Sequence, residues 1–187
     1  MTPDHALRLT TLLRAMQDVV IPAIDPQKRL ALDQAQIVVG NLRILLDQCD
    51  KTYQYEIVEL REYHALVESL TNLADGGDST RAERVAAQEA LALSAAIASL
   101  SLPSQAELVA LVRQLKSTAD GLLRAAYQDG TQEFRRAADQ LVFAQAERQL
   151  TRERVWLRKA NFELDPAALP DLDAVLSLGH AHSDHTV

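Results

Sequence analysis

The fold is decided by the stretch QKRLALDQAQIVVGNLRILLDQCDKTYQYEIVELREYHALVESLTNLA (residues 27–74), which has no proline and a single glycine, Gly40. Its second half carries apolar or aromatic side chains at alternating steps of three and four, the spacing of one helical face: Leu46, Cys49, Tyr53, Ile57, Leu60, Tyr63, Val67, Leu70 and Ala74. The stretch therefore predicts one long helix, roughly 70 Å if unbroken. Two helices hinged near Asp50 are the alternative, because Cys49 to Thr52 are its weakest helix formers.

The composition favours helix packed on helix. Of the 187 residues, 48% are hydrophobic but only 4% are aromatic, and six glycines and six prolines leave few turn signals. We expect an all-α fold: an antiparallel bundle of four to five long helices over residues 1–160. A short, poorly ordered, acidic and His-containing C-terminal tail is expected over residues 161–187.

Capping and breaking residues predict the helix ends. A first helix is expected to start at Thr2-Pro3 and to end near Val20, before Pro22. Asp25-Pro26 starts the second helix. Capping boxes are expected at Thr80 with Glu83 and at Ser104 with Glu107, each before another helix. A fifth helix is expected from Thr131 to Ala160, and Gly40 and Gly121 are expected at close helix crossings.

Charge and hydropathy limit the partners. A net charge of −7 argues against general nucleic-acid binding. Residues 1–20 include charged side chains, and the uncharged run between Glu89 and Glu107 is too polar to span a bilayer. The single cysteine, Cys49, needs no oxidising compartment and is expected to pack among apolar residues. We expect a cytoplasmic protein with no membrane and no cofactor.

One run near the C-terminus has metal-binding chemistry. Residues His180, His182, Asp184 and His185 match His-x-His-x-Asp-His, the ligand run of the metallo-β-lactamase superfamily. In that family the run lies on a loop after a strand, and no strand pattern precedes it here. We expect a His-containing tail, with binding of zinc or nickel by these four residues as the alternative.

The long stretch also carries acidic residues and one histidine. Di-iron bundles need Glu-x-x-His pairs, whereas His64 follows Glu59 by five residues and Glu62 by two. Histidine phosphotransfer bundles resemble His-x-x-Lys-Gly, and Glu68 stands where a cation would help the phosphate. Glu56 and Glu59 are therefore interpreted as a solvated face. A metal-dependent enzyme built on Glu56, Glu59 and His64 stays the less favoured hypothesis.

Cations crowd the end of the fifth helix. Glu147 and Glu153 are spaced to pair with some of them, which gives a structural interpretation. The functional alternative is contact with an acidic partner or a phosphate-bearing ligand through Arg148, Arg152, Arg158 and Lys159.

Three short runs carry a resemblance to a known family: Val20-Ile21-Pro22-Ala23-Ile24, Arg29-Leu30-Ala31-Leu32 and Gly40-Asn41-Leu42-Arg43-Ile44-Leu45. Together they resemble the opening of a small uncharacterised helical family. Its members are encoded beside acyl-CoA-dehydrogenase-like and aminoglycoside-phosphotransferase-like proteins. The resemblance implies an accessory role in that setting, and it assigns no catalytic residue.

These patterns favour a non-catalytic interaction or accessory protein. A helix over residues 27–74 would be longer than its neighbours, and its projecting apolar stripe predicts a homodimer, with another protein as a further partner. The alternative is a bundle that binds an apolar or acyl group between helices, with the cations at 148–159 facing the polar head. That alternative requires a cavity of several hundred Å³.

Overall fold

The computed structural model describes residues 4–98, 103–160 and 163–177. Over these ranges the ordered elements are helical, and the only extended pairing is an isolated bridge between Gly76 and Gly130. The all-α prediction is confirmed, although the helices outnumber the four to five expected. None of the helices in these ranges is long and apolar enough to cross a membrane.

The α-helices follow one another along the chain with short connections. They are α1 His5–Ala15, α2 Ile21–Ala23, α3 Arg29–Gln48, α4 Thr52–Leu73, α5 Asp78–Ala98, α6 Gln105–Gln128, α7 Gln132–Trp156 and α8 Leu172–Ser177.

The chain forms two compact units. The terminal unit comprises Met1–Thr52 with Arg152–Val175, and the central unit comprises Tyr53–Thr151 with Leu176–Val187. The domain expected from sequence was a single bundle over residues 1–160. The described part of the expected tail, 163–177, contains a 3₁₀-helix, Pro166–Ala168, and α8.

The expected continuous helix over 27–74 is wrong, and the alternative is right: α3 ends at Gln48 and α4 begins at Thr52. The backbone carbonyl of Gln48 accepts from the amide of Lys51 at 2.9 Å and from the hydroxyl of Thr52 at 3.1 Å. These bonds replace the helical bond from the Thr52 amide. The threonine hydroxyl thus competes with the helix at its weakest point.

The first helix runs further than its proline indicated. The side chain of Asp4 accepts from the amide of Leu7 at 3.0 Å and caps α1, while the Thr2-Pro3 start lies outside the described residues. After α1 the chain continues as a π-helix, Met16–Val20, and then as α2. The wide π turn shifts the carbonyl pairing by one residue. Pro22 therefore fits within α2, and the expected end near Val20 is wrong.

The core of the central unit is one cluster of side chains from α4, α5, α6 and α7. The regular seam expected on α6 is confirmed, since its members are all buried: Leu108, Val112, Leu115, Ala119, Leu122 and Ala126. A Cβ added at Gly121 would overlap the carboxylate of Glu83, so α5 and α6 approach closely there. No atom lies within 4 Å of the equivalent position at Gly40, and the crossing expected at that glycine is wrong.

The two predicted capping boxes differ in outcome. Ser104 and Glu107 form the box before α6 as expected. Thr80 lies inside the first turn of α5, where its hydroxyl donates to Asp129 rather than capping the helix. The box with Glu83 is therefore wrong. The start of α5 is capped instead by Asp129, whose carboxylate accepts from the amides of Ser79 and Thr80.

The inner face of α7 differs from the one expected. Phe134 is buried, but Phe143, Leu150 and Leu157, which were expected at apolar positions, are about half or more exposed. The buried positions of α7 are Phe134, Ala138, Gln145, Arg152 and Val155. The three-four spacing thus holds along the helix, but the face it defines turns polar after Ala138.

Candidate functional site

A polar cleft lies in the central unit where α7 turns polar. Side chains of α4, α6 and α7 enclose a cavity of about 290 Å³. Its apolar wall consists of Leu66, Ala119, Leu123, Val142 and Ala146, and its polar groups are Tyr63, Lys116, Asp120, Gln145 and Gln149.

Lys116 binds one wall of the cleft to α4. Its Nζ lies 3.1 and 3.3 Å from the two carboxylate oxygens of Glu59, and 4.9 Å from the centre of the Tyr63 ring. Glu59 is buried, so the solvated face expected for it is wrong. An ion pair and a cation–π contact together stabilise the buried carboxylate.

Glu56 lies one helical turn before Glu59. Its pKa is raised, first by burial and second by repulsion from the Glu59 carboxylate. Two carboxylates on one helix face therefore share the cation of Lys116 unequally, and Glu56 carries the cost.

A chain of amides crosses the cleft. The hydroxyl of Tyr63 donates to Oε1 of Gln149 at 2.5 Å, and Nε2 of Gln145 donates to a carboxylate oxygen of Glu62 at 3.0 Å. Arg148 donates in turn to Oε1 of Gln145 at 2.7 Å. Gln145 is 2% exposed, and its two amide atoms are both bonded. Bonded polar groups of this kind hold side chains in one conformation.

The residues considered for metal chemistry do not converge in the described ranges. Nδ1 of His64 lies 3.1 Å from the hydroxyl of Ser94, on another helix from Glu59 and its partner Lys116. Within 4–98, 103–160 and 163–177, no group of three His, Cys, Asp or Glu side chains is placed to hold a metal. The four tail residues His180, His182, Asp184 and His185 lie outside the described residues.

The predicted cationic contact residues take separate structural roles. Arg148 belongs to the amide chain of the central unit, and Arg152 is buried. In the terminal unit Arg158 donates to the carbonyls of Leu169 and Pro170, and Lys159 pairs with Asp47.

A second cavity, of about 430 Å³, lies beside these last two cations in the terminal unit. Its lining alternates in charge: Asp47, Lys51, Arg158, Lys159, Asp171 and Asp173, with Val155, Leu172 and Ala174. The size expected of a ligand cavity near the cations is therefore present. Its walls are too charged to suit an acyl chain.

A large apolar surface also lies on the terminal unit. On α3 the side chains of Ala35 and Val39 are buried, while on the opposite side Leu30, Ile37, Val38 and Leu45 are about half or more exposed. No residue of α1 is buried. Cys49 is half-buried, with Sγ 3.6 Å from the carbonyl of Leu46.

The polar cleft was missed because its members were read as exposed charges. The usable signal was in α7, where the spacing 134, 138, 141, 145 places a glutamine on the core face. Comparison of the chain with protein-family models, curated proteins and solved structures finds no match.

Proposed function

We propose that this chain is a non-catalytic helical interaction protein that acts as a homodimer through the outer face of α3. That outer face is defined by Leu30, Ile37, Val38 and Leu45. The observation that carries the proposal is that α3 is apolar on two opposite sides. A helix that is apolar on both sides belongs in an interior. The break at Cys49 removes the earlier argument from a projecting helix.

The spacing of the outer face fits a second copy. Ile37 follows Leu30 by seven residues, as Leu45 follows Val38, and Gln34 and Asn41 lie between them on the same face. A heptad repeat with amides at one seam position packs against its own copy and sets the register. Such a face is self-complementary, as a two-fold interface requires.

The exposed area is also sufficient. Together with Leu7, Leu12, Val19 and Val20, the outer face exposes on the order of 700 Å² of apolar residues. A standard interface buries about 800 Å² on each partner. The resemblance of residues 20–45 to an accessory helical family agrees with a binding role. Cytoplasmic location and the lack of a nucleic-acid partner stay predictions from composition.

Sedimentation equilibrium tests the dimer. We expect the wild-type chain to be dimeric and the double variant Ile37→Lys with Leu45→Lys to be monomeric with unchanged helical circular dichroism. The matched control is Phe143→Lys, which places the same charge on an exposed position of α7. A wild-type monomer at all concentrations would contradict the proposal, as would dissociation caused equally by the control.

The polar cleft favours a second candidate, a binding site for a small apolar carboxylate. Lys116 has three N–H donors and Glu59 takes two of them, which leaves one for a ligand carboxylate. Leu66, Leu123 and Val142 form the apolar wall. This differs from the expected acyl site, because a lysine rather than the cations at 148–159 faces the polar head.

Methyl NMR tests this second candidate with hexanoate as the probe and hexanol as the control. We expect saturable shifts at Leu66, Leu123 and Val142 with hexanoate, weakened by Lys116→Met. Shifts of equal size with hexanol, or none with either probe, would contradict a carboxylate site.

A further inference from the structure

An acidic segment follows α7 in the terminal unit. Residues 163–174, named here the acidic strap, include Glu163, Asp165, Asp171 and Asp173 and contain no Lys or Arg. Cations on α7, on the turn after it and on the turn after α3 contact the strap. The strap is thus held by charge as well as by backbone bonds.

The first attachment is a two-point ion pair. Nε and Nη2 of Arg154 donate to the two carboxylate oxygens of Glu163 at 2.9 and 2.7 Å. The Arg154 guanidinium lowers the pKa of Glu163 below its usual range. Paired bonds of this geometry are the stronger kind of charge-assisted hydrogen bond.

The other two attachments are looser. Nζ of Lys51 lies 2.7 Å from Asp173, whose side chain is 80% exposed. Nη1 of Arg158 lies 3.7 Å from Asp171, which is 92% exposed. Exposed pairs of this kind contribute little and are screened by salt.

Arg158 is only partly satisfied by the strap. Its Nη2 donates to the backbone carbonyls of Leu169 and Pro170, and its Nε is buried without an acceptor among the described residues. A carboxylate bound to both Nε and Nη2 would satisfy the guanidinium better than two carbonyls do. The strap therefore leaves binding capacity unused.

We propose that Lys51, Arg154 and Arg158 form a cationic groove that docks an acidic peptide segment of a partner protein, and that the acidic strap occupies this groove in competition with it. Arginine clusters recognise acidic peptides in this way. The chemistry of the partner is read from the segment that fills the groove: carboxylates spaced along an extended, proline-containing chain. The proposal does not depend on the dimer.

The test measures binding of a fluorescent peptide, ELDPAALPDLDAVLS (residues 163–177), to the full chain. We expect it to bind the strap-neutralised variant Glu163→Gln, Asp171→Asn, Asp173→Asn about tenfold tighter than wild type, with affinity falling as salt rises. Adding Arg154→Gln and Arg158→Gln should abolish binding. The matched control, Asp18→Asn, Asp33→Asn, Glu68→Gln, makes the same charge change away from the strap and should bind like wild type.

Equal affinity of wild type and the strap-neutralised variant would overturn the proposal, and so would binding that survives loss of both arginines. A second measurement uses the unmodified protein. Hydrogen exchange of residues 163–174 should accelerate when excess peptide is added and should not respond to a peptide whose acids are amides. Unchanged exchange with the acidic peptide would also overturn it.

Discussion

The hydroxyl of Thr80 donates a 2.7 Å hydrogen bond to Oδ1 of Asp129, and this bond joins two connections of the central unit. The same carboxylate accepts from the amides of Ser79 and Thr80 at 2.7 and 3.0 Å. The amide of Gly77 donates to the Asp129 carbonyl at 3.0 Å. A Cβ at Gly76 would lie 2.7 Å from that carbonyl, which explains why glycine stands there. The α4–α5 connection is thereby locked to the α6–α7 connection.

Asp129→Asn should lower the melting temperature by several degrees at neutral pH. The bond from Thr80 is the main cause that lowers the pKa of Asp129. The stabilisation it gives is therefore present above the unfolded pKa, about 4, and is lost as pH falls through the lowered folded pKa. Thermal melts across pH should show the difference from wild type shrinking in acid. Asp78→Asn, an exposed residue of the same turn, is the control. A difference that is constant with pH would contradict this account.

Two phenylalanines of α7 provide a matched comparison. Phe134 is 2% exposed in the core of the central unit, whereas Phe143 is 70% exposed. Phe134→Ala should reduce the free energy of unfolding by about 3–5 kcal/mol, because it leaves a cavity. Phe143→Ala should change it by roughly 0.5 kcal/mol or less. Urea denaturation measures both, and similar losses at the two positions would show that the face of α7 is misassigned.

The pair between Glu59 and Lys116 should show measurable coupling. Its distance is 3.1 Å, and the Lys116 side chain is 36% exposed, which reduces the effect through solvent screening. A double-mutant cycle with Glu59→Gln and Lys116→Met should give a coupling on the order of 1–2 kcal/mol. Additive effects of the two substitutions would mean that the pair contributes nothing to stability.

Glu56→Gln should stabilise the protein at neutral pH. The pKa of Glu56 is raised by burial and by Glu59, so the folded chain holds this proton more tightly than the unfolded chain. Stability contributed by the protonated form is present at low pH and is lost as pH rises through the raised folded pKa. The advantage of the glutamine variant should thus grow with pH from about 4.5 and then level off. An advantage at acidic pH alone would contradict the sign.

The fold could be predicted from sequence where one interaction dominates. The seam of α6 is wholly apolar from Leu108 to Ala126, and burial of that stripe decides its orientation. The cap at Ser104 was predictable because both partners lie three residues apart. Contacts between distant residues were not. The cap of α5 by Asp129 joins residues about fifty positions apart, and no local pattern indicates it.

The polar cleft was out of reach for a related reason. Glu59 and Lys116 are ordinary surface residues by type, and only their packing places them together. The helix break was hidden because the three-four pattern passes Cys49 in phase, while the competing hydroxyl of Thr52 acts on a single carbonyl. Spacing therefore predicted the faces of the helices better than their ends.

The central claim is that two copies of the chain meet at the outer face of α3. Double electron–electron resonance measures this directly with one spin label per chain, at Asp33→Cys in a Cys49→Ser background. Asp33 is exposed beside the outer face. Packed helices lie about 8–10 Å apart, so we predict a label-to-label distance below about 30 Å, abolished by Ile37→Lys. The absence of dipolar coupling between chains in the folded protein would contradict the account.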